Sequence, residues 1–284
     1  MSYPEKHIAL FCNPTPDNEK ALHIAGTIIR MLEAKDIRHT SFKTSWPQDL
    51  DHFTEAWVIG GDGTLNLFIN QYQDLHIPLS IFAGGSGNDF HWMLYGEIEV
   101  EHQVEKILQA VPRRVDAGTC NGRLFTNGVG IGFDGAIVKD LLGRKKMTGK
   151  ATYLLSILKN IVGYSEKNCT IQFADETIVQ DCFMISVANT RRYGGSFYVA
   201  PKASCNDALL DVNIIGSISP LNRIRYLPVI EKGEHLELAF NQYRQTDHVL
   251  IHCLVPLHAH IDGEYICETV FEIGILPKRF SFLY

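Results

Sequence analysis

The stretch Trp57-Val58-Ile59-Gly60-Gly61-Asp62-Gly63-Thr64-Leu65-Asn66 joins an apolar strand pattern to a helical pattern through a glycine-rich turn. The turn carries one carboxylate, on Asp62, and one hydroxyl, on Thr64. Small residues at a helix start leave backbone amides open to phosphate, and a lone carboxylate suits a metal ion that accompanies phosphate. No Gly-Lys-Ser/Thr follows, and the glycines lack the spacing of a dinucleotide-binding motif. The stretch therefore predicts a phosphate-binding turn of another type.

Strand and helix patterns alternate on both sides of this turn. The predicted strands cover residues 7–12, 37–43, 56–60 and 78–83, and the predicted helices cover residues 17–34, 64–72 and 100–111. The first helix has an apolar stripe formed by Leu22, Ala25, Ile29 and Leu32. Such alternation predicts an α/β fold, with a mostly parallel sheet, helices on both faces, and ligands beyond the carboxyl ends of the strands.

A second glycine-rich segment, Ala83-Gly84-Gly85-Ser86-Gly87-Asn88-Asp89-Phe90, follows the fourth predicted strand. Its glycines allow close approach to a nucleotide, Ser86 offers a hydroxyl to phosphate or ribose, and Asn88 and Asp89 can cap the next helix. A third segment, Asn13-Pro14-Thr15, follows the first strand. One such loop alone fits an ordinary strand-to-helix connection equally well. Because several loops meet at equivalent strand ends, we predict a nucleotide site there.

From residue 113 onward the pattern changes to short β-branched or aromatic segments separated by turn residues. The predicted strands cover residues 123–126, 169–173, 178–188, 209–215, 249–254 and 270–275, with helices at 150–163 and 221–230. This pattern predicts an antiparallel, β-rich second domain. We place the domains at residues 1–114 and 115–275.

Composition narrows the function classes. The net charge of -6, with both signs interspersed, argues against nucleic-acid binding. No apolar run is long enough to span a membrane, and the start of the chain lacks a signal-peptide pattern. The seven cysteines are scattered without a C-x-x-C pair, which favours reduced, mostly buried thiols over a disulfide framework or a zinc site. We expect a cytoplasmic protein that contacts membranes only peripherally and transiently.

Taken together, the motifs resemble the catalytic domain of the diacylglycerol kinase family, in particular its bacterial soluble lipid kinases. Gly60-Gly61-Asp62-Gly63-Thr64 is similar to the family's GGDGT motif, and Gly85-Ser86-Gly87-Asn88-Asp89-Phe90 is similar to its G-T-x-N-D-F motif, with serine in place of threonine. Further landmarks in the family's order are Val115-Asp116-Ala117-Gly118, Asn127-Gly128-Val129-Gly130-Ile131-Gly132-Phe133-Asp134, Asn206-Asp207-Ala208-Leu209-Leu210-Asp211-Val212 and Ile261-Asp262-Gly263-Glu264. The resemblance covers nearly the whole chain.

This resemblance implies an N-terminal three-layer α/β nucleotide-binding domain and a C-terminal β-rich, sandwich-like domain, with the active site in the cleft. Residues 276–284 are expected to return to the first domain. The implied reaction transfers the ATP γ-phosphoryl group to a lipid hydroxyl with the help of Mg²⁺. Diacylglycerol, giving phosphatidic acid, is the leading acceptor, while sphingoid bases, ceramide and phosphatidylglycerol-like lipids stay open. The lipid is met at the membrane surface, and a homodimer is left open.

The resemblance also assigns residues. It implies that Glu264 is the general base on the acceptor hydroxyl and that Asp62 holds Mg²⁺, directly or through water. The implied nucleotide-binding residues are Asn13, Pro14, Thr15, Thr44, Gly60, Gly61, Asp62, Gly63, Thr64, Leu65, Asn66, Ser86, Asn88 and Asp89, with Thr40 as an alternative to Thr44. A structural Mg²⁺ is implied on the Asp207 side chain and the carbonyl oxygens of Ser204 and Leu209.

Simpler interpretations accompany each assignment. Asp62 fits a helix cap, Asp207 fits a loop cap, and Glu264 follows an Asp-Gly pair that by itself signals a hairpin turn. The basic stretch from Arg144 to Lys150 fits either a solvated turn or a contact with transferred phosphate or anionic lipid. The rival functions are an NAD kinase-like enzyme, which shares the GGDGT turn, and a nucleotide- or lipid-sensing protein without turnover.

Overall fold

The structure, a computed structural model, describes residues 6–12, 19–43, 45–142, 150–194 and 197–284. Several sequence-based assignments lie outside these residues, namely Asn13, Pro14, Thr15, Thr44 and the basic stretch from Arg144 to Gly149. Within the described ranges, no helix combines the length and the apolarity needed to span a membrane.

The chain divides into two compact units. Met1–Val115 together with Lys278–Tyr284 forms the N-terminal unit, and Asp116–Pro277 forms the C-terminal unit.

The N-terminal unit is built on a parallel sheet. Its elements are β1 His7–Cys12, α1 Glu19–Ala34, β2 Arg38–Phe42, β3 Glu55–Gly60, α2 Asp62–Gln71, β4 Leu79–Ala83, α3 Asp89–Tyr95, α4 Val100–Gln109 and the start of β5 Pro112–Cys120. β2, β1, β3 and β4 pair in parallel in that order. The end of the chain adds a further parallel strand beside β4, where Phe282 pairs with Leu79. The predicted α/β fold is confirmed.

The strand order places helices on both faces of this sheet. α1 leads from β1 to β2, whereas α2 leads from β3 to β4 in the opposite direction across the sheet. Because crossovers between parallel strands are right-handed, α1 and α2 lie on opposite faces. The order reverses between β1 and β3, whose carboxyl ends are neighbours at Cys12 and Ile59. Open α/β sheets bind ligands at such a reversal.

The buried face of α1 differs from the predicted stripe. Ala25 and Leu32 are buried, but Leu22 is 46% exposed. The other buried apolar positions of this helix are Ala21, Ile24 and Ile28. The stripe was wrong at Leu22 because the apolar residues of α1 span a broad arc, and Leu22 lies at the edge of that arc, away from the buried positions.

Aromatic packing holds the chain end in the N-terminal unit. Phe280 and Phe282 are buried, and the ring of Phe282 lies 5.1 Å from that of Phe90 in α3. The Tyr95 hydroxyl donates a hydrogen bond to the Leu283 carbonyl oxygen at 2.6 Å. Burial raises the pKa of Tyr95 above its ordinary range, so the hydroxyl stays a donor. The last residues are therefore part of this unit's core.

The C-terminal unit is β-rich and antiparallel, as predicted. Its elements after β5 are β6 Arg123–Phe125, β7 Gly128–Gly132, α5 Phe133–Leu141, α6 Lys150–Asn160, β8 Lys167–Gln172, β9 Thr177–Ala188, β10 Leu210–Gly216, α7 Pro220–Glu231, β11 Asn241–Thr246, β12 His248–Ile261 and β13 Glu264–Leu283, whose last residues enter the N-terminal unit. The sheet order is β11-β10-β9-β7-β12-β13 with antiparallel neighbours, and β8 pairs with both β9 and β12.

Two apolar cores fill this unit. One lies among the strands and includes Val129, Ile185 and Phe271. The other lies where α5 and α6 cover β9 and includes Phe133, Ile157 and Phe183. The sheet is thus buried on both sides over part of its area, which explains why its strands read as apolar runs rather than as strict alternation.

The seven cysteines all lie among the described residues. All are free thiols, and six are buried, while Cys267 is exposed. The prediction of unpaired, mostly buried thiols is confirmed.

We expect Phe282→Ala to lower the free energy of unfolding by about 3–5 kcal/mol, because it leaves a cavity against Phe90. Urea denaturation followed by circular dichroism measures the change. The control is Leu67→Ala in the same unit, where the leucine is 53% exposed and the substitution should cost little. Equal losses for the two variants would contradict this account of the chain end.

Candidate functional site

The turn from β3 to α2 lies at the reversal of strand order. Gly61 is the N-cap residue of α2, and Asp62 is the first residue of the helix. β3 is buried along its whole length, so the turn is anchored by a rigid strand. The helix start therefore faces the edge of the sheet where ligands bind.

The Asp62 carboxylate joins this turn to the second glycine loop. Its Oδ2 accepts a hydrogen bond from the Asp89 N–H and its Oδ1 accepts one from the Phe90 N–H, each at 3.0 Å. The Asp62 N–H in turn donates to the Gly87 carbonyl oxygen at 3.0 Å. Asp62 is thus a cap, but it caps α3 rather than its own helix. A carboxylate at a helix N-terminus is also favoured by the helix dipole.

Asn88 does not act as the predicted side-chain cap of α3. It occupies the N-cap position, but its side chain makes no capping hydrogen bond. Its Oδ1 accepts from the Gly85 N–H at 3.1 Å, and its Nδ2 donates to the Gly85 carbonyl oxygen at 2.8 Å. Asp62 reaches the helix start from another loop, so the Asn88 amide is used to close its own loop instead.

The two loops touch through their backbones. A Cβ atom on Gly85 would collide with the backbone of Gly61, and a Cβ on Gly61 would collide with the Gly87 carbonyl oxygen. Glycine is therefore required at these positions by the packing of one loop on the other, independently of any ligand. This close approach brings the two predicted phosphate-binding segments into one surface.

Several backbone amides of this surface are available to a ligand. Among the described residues, no hydrogen bond is made by the N–H groups of Gly61, Gly63, Ser86 and Gly87. The Ser86 side chain is exposed. Unbonded amides at a helix start suit anionic oxygens such as those of phosphate.

The other predicted nucleotide residues of this turn are less accessible. Leu65 is fully buried and Asn66 is 3% exposed, so their side chains belong to the core of the unit. Thr64 is partly exposed. Asp89 is 5% exposed.

Glu264 lies in the C-terminal unit, directly after a two-residue hairpin turn. Asp262 and Gly263 have φ values of 50° and 89°, and Ile261 pairs with Glu264 across the turn. Positive φ at both positions is the geometry that Asp-Gly favours in hairpins. The Glu264 side chain is exposed, and no other described residue makes a hydrogen bond or ion pair with it.

The Asp262 carboxylate fixes this turn. Asp262 is 9% exposed. Its carboxylate oxygens accept hydrogen bonds from the Thr126 N–H and hydroxyl, the Asn127 N–H and the Gly128 N–H, at 2.8–3.2 Å. A buried carboxylate is stable only when its oxygens are hydrogen-bonded in this way. The turn before Glu264 is therefore rigid.

His260 and Asp134 form a second anchor, which the sequence analysis did not identify. The Gly263 N–H donates to His260 Nδ1 at 3.2 Å, so the ring proton lies on Nε2 and is donated to Asp134 Oδ2 at 3.0 Å. Both side chains are almost fully buried. Burial, with the nearby Asp134 carboxylate, holds the pKa of Tyr193 well above its ordinary value. The one sequence signal was Asp134 within a quoted motif.

Asp207 makes the hydrogen bond expected of a loop cap. Its Oδ1 accepts from the Leu209 N–H at 3.1 Å, and Asp116 Oδ2 accepts from the Ala208 N–H at 2.8 Å. The Ser204 hydroxyl donates to Asn206 Oδ1 at 2.8 Å. Within the part of the chain that the structure describes, no group of three or more His, Cys, Asp or Glu side chains could hold a metal ion.

Both parts of the chain match known protein families. Residues 7–120 match the diacylglycerol kinase catalytic domain, and residues 127–284 match the YegS C-terminal NAD kinase beta sandwich-like domain. A protein of Mycobacterium tuberculosis named diacylglycerol kinase is 28% identical over 236 residues, which cover 80% of this chain and 75% of that protein.

Solved structures share the fold. A crystal structure described as a diacylglycerol kinase from Bacillus anthracis str. Sterne has a TM-score of 0.74 and 21% identity, and covers 99% of this chain and 97% of that chain. An NAD kinase from Archaeoglobus fulgidus, solved in complex with ATP, has a TM-score of 0.57 and 12% identity, with 98% and 93% covered. These identities support the fold alone. With the C-terminal match covering more than half of the chain, the chain belongs to the bacterial lipid kinase family that joins a diacylglycerol kinase catalytic domain to this sandwich-like domain.

Proposed function

We propose that this protein is an ATP- and Mg²⁺-dependent kinase that transfers the γ-phosphoryl group to a lipid hydroxyl, with diacylglycerol as acceptor and phosphatidic acid as product. The observation that carries the proposal is the joining of the two glycine loops by Asp62, in a chain whose N-terminal part matches the diacylglycerol kinase catalytic domain.

The donor side of the reaction is supported by the unbonded amides of both loops. They offer hydrogen bonds to phosphate oxygens, and the Ser86 hydroxyl offers a further one. Asp62 uses one lone pair on each oxygen for α3, and a carboxylate has about four lone-pair sites. The residue therefore fits a Mg²⁺ ion bound directly or through water. Mg²⁺ bound there would neutralise the charge of the phosphates beside this carboxylate.

The acceptor side is assigned to Glu264. Its unpaired, exposed carboxylate follows a turn that Asp262 holds rigidly, which suits a general base that must meet a substrate hydroxyl. Glu264 takes the hydroxyl proton, the lipid oxygen bonds to the γ-phosphorus, and the bond from that phosphorus to the β–γ bridging oxygen breaks, so that ADP leaves. Positioning and charge neutralisation supply most of the rate in such transfers.

A second Mg²⁺ is proposed at Asp207, with the carbonyl oxygens of Ser204 and Leu209. Asp207 is exposed, and its Oδ1 accepts a hydrogen bond from the Leu209 N–H. Its Oδ2 is then available to a hard cation. This ion would brace the loop and take no part in the transfer.

Contact with a membrane surface is proposed for one side of α6. The exposed apolar side chains there and in the turn that follows are Leu154, Leu155, Leu158 and Val162, with exposures of 36–54%. Helical spacing places them on one side, while Ile157 and Ile161 are buried on another. An exposed apolar strip of this kind is favourable against lipid and unfavourable in water.

We expect Asp62→Ala and Asp62→Asn to lower phosphoryl transfer at least about 100-fold, because both remove the charge that holds the metal ion. Hydrogen exchange should rise about tenfold or more at the amides of Asp89 and Phe90, least in the Asn variant, which keeps one acceptor oxygen. Circular dichroism should be unchanged. The control is Asp51→Ala, at an exposed aspartate of the same unit. Full activity of Asp62→Ala would refute the donor-side assignment.

We expect Glu264→Gln to lower kcat by about 10²–10⁴-fold while the dissociation constant for ATP stays within twofold, because Glu264 acts on the acceptor alone. Steady-state kinetics and calorimetry measure the two effects. The matched control is Glu268→Gln, an exposed glutamate of the same strand. If kcat for Glu264→Gln equals that of the control, Glu264 is not the base.

The acceptor is tested with labelled ATP against a total lipid extract, diacylglycerol, sphingosine, ceramide, phosphatidylglycerol and NAD, with products identified by mass spectrometry. We expect phosphatidic acid as the main product. Phosphorylation of NAD alone would replace the proposal by an NAD kinase, and ATP binding without any product would replace it by a sensor.

We expect Leu155→Glu combined with Leu158→Glu to weaken binding to phosphatidylcholine–phosphatidylglycerol vesicles at least tenfold, because burial of each leucine is worth about 1.5–3 kcal/mol. Vesicle sedimentation measures binding. The control is Leu22→Glu in the N-terminal unit, where the leucine is as exposed as Leu158. Equal vesicle binding by both variants would rule out α6 as the contact.

A further inference from the structure

The hydrogen bond between His260 and Asp134 lies inside the C-terminal unit, and His260 connects it to the turn before Glu264. His260 is 3% exposed and Asp134 is 4% exposed. The imidazole stands edge-on to the Tyr193 ring, with 5.3 Å between the ring centres and 81° between the planes. Close packing leaves a buried ring little freedom to rotate, so its two nitrogens point at fixed partners.

A glycine lies in the sheet where this pair meets. Gly130 of β7 pairs directly with His260 of β12. A Cβ atom on Gly130 would collide with both Asp134 Oδ2 and His260 Nε2, which are the two atoms of the hydrogen bond. The absence of a side chain at Gly130 therefore leaves the room that the pair occupies.

The two hydrogen bonds of the imidazole depend on each other. His260 Nε2 donates to Asp134 Oδ2 at 3.0 Å, and His260 Nδ1 accepts from the Gly263 N–H at 3.2 Å. A neutral imidazole carries one ring proton, so one nitrogen donates and the other accepts. A carboxylate only accepts, so Asp134 favours the tautomer with the proton on Nε2. In that tautomer Nδ1 is free to accept from Gly263.

The Gly263 hydrogen bond opposes one specific motion of the turn. Asp262 and Gly263 both have positive φ, as in a type I′ turn. A two-residue hairpin also exists as a type II′ turn, in which the peptide group between these residues has the opposite orientation. Gly263 by itself does not exclude that form, because glycine adopts either sign of φ. Rotation of the peptide group would turn the Gly263 N–H away from His260.

The orientation of this peptide group sets the direction in which the chain enters Glu264. The hydrogen bonds of Asp262 hold its side chain and its own N–H, but not the peptide group that follows it. Because no other described residue bonds to the Glu264 side chain, its placement depends on its backbone. A general base must come within hydrogen-bond reach of the proton that it takes, and a misplacement of about 1 Å can cost about 100-fold in rate.

We propose that His260 and Asp134 are positioning residues for the base. Asp134 selects the tautomer of His260, and His260 holds the peptide group before Gly263 in the orientation that presents Glu264 to the acceptor hydroxyl. Neither residue touches the substrate in this role. The inference rests on the proposed function, since it concerns the placement of the base in that reaction.

Two substitutions at one position separate the two hydrogen bonds in the full-length protein. His260→Asn places a side-chain oxygen near the position of Nδ1, which keeps the acceptor for the Gly263 N–H and loses the bond to Asp134. His260→Gln places its amide nitrogen near the position of Nε2, which keeps the bond to Asp134 and loses the acceptor. The matched control is His252→Gln, at an exposed histidine of the same strand.

We expect His260→Gln to lower kcat about tenfold or more and His260→Asn to lower it by about threefold at most, because only the first releases Gly263. The dissociation constant for ATP should stay within about twofold in both variants, and hydrogen exchange at the Gly263 amide should rise about tenfold or more in His260→Gln alone. Equal kcat values for the two variants, or kcat values that follow their melting temperatures, would overturn the inference.

Asp134→Asn tests the tautomer. The asparagine amide can donate to Nε2, which permits the ring proton to move to Nδ1, where it faces the Gly263 N–H. We expect nitrogen-15 NMR of the imidazole to show the proton on Nε2 in the wild type and partly on Nδ1 in the variant, with kcat lowered about tenfold or more. A wild-type ring with its proton on Nδ1 would overturn the inference.

The same measurements separate this inference from the kinase assignment. If the wild type phosphorylates lipid and both His260 variants match His252→Gln, the kinase assignment stands and the inference is overturned. If the wild type phosphorylates no lipid, the kinase assignment fails. Faster exchange of the Gly263 amide in His260→Gln alone would then still support the holding of this turn by His260.

Discussion

The candidate donor site depends on two hydrogen bonds, which the N–H groups of Asp89 and Phe90 donate to the Asp62 carboxylate. Each hydrogen bond to a charged group contributes about 1.5–3 kcal/mol, so the pair is strong enough to hold two loops together. The loops come so close that only glycine fits at Gly61 and Gly85. Among the described residues, the amides of Gly61, Gly63, Ser86 and Gly87 on the same two loops make no hydrogen bond, which is the arrangement that suits an anion.

In the C-terminal unit, too, a carboxylate that accepts backbone hydrogen bonds joins two segments, here the hairpin turn before Glu264 and the segment before β7. Asp262 gathers backbone donors from the segment before β7, and His260 links the hairpin to Asp134 of α5. A hairpin tip would otherwise be among the more mobile parts of a sheet. Here the buried carboxylates of Asp262 and Asp134 anchor the hairpin turn, the second through His260, and the Glu264 side chain that follows the turn is exposed.

Local pattern predicted most elements of the fold but not their faces or lengths. The strands and helices of the N-terminal unit follow from alternating runs bounded by glycine and proline, yet the buried side of α1 was misassigned at Leu22. The first prediction of β12 covered residues 249–254 alone, whereas the strand runs from His248 to Ile261. The second half of β12 packs against α5. Because different neighbours cover the two faces of this half, its sequence lacks the alternation of apolar and polar residues by which a strand is predicted.

The sequence by itself determined the family and the α/β and β-rich halves. It also identified Asp62 and Glu264 as the candidate carboxylates of the site, because the conformation of glycine-rich turns and Asp-Gly pairs is determined locally. Only the tertiary structure decided what those residues touch. Asp62 caps a helix that begins far along the chain from it, Asn88 closes its own loop, and His260 and Asp134 meet although they are distant in sequence. Such contacts arise from packing, which short-range pattern does not encode.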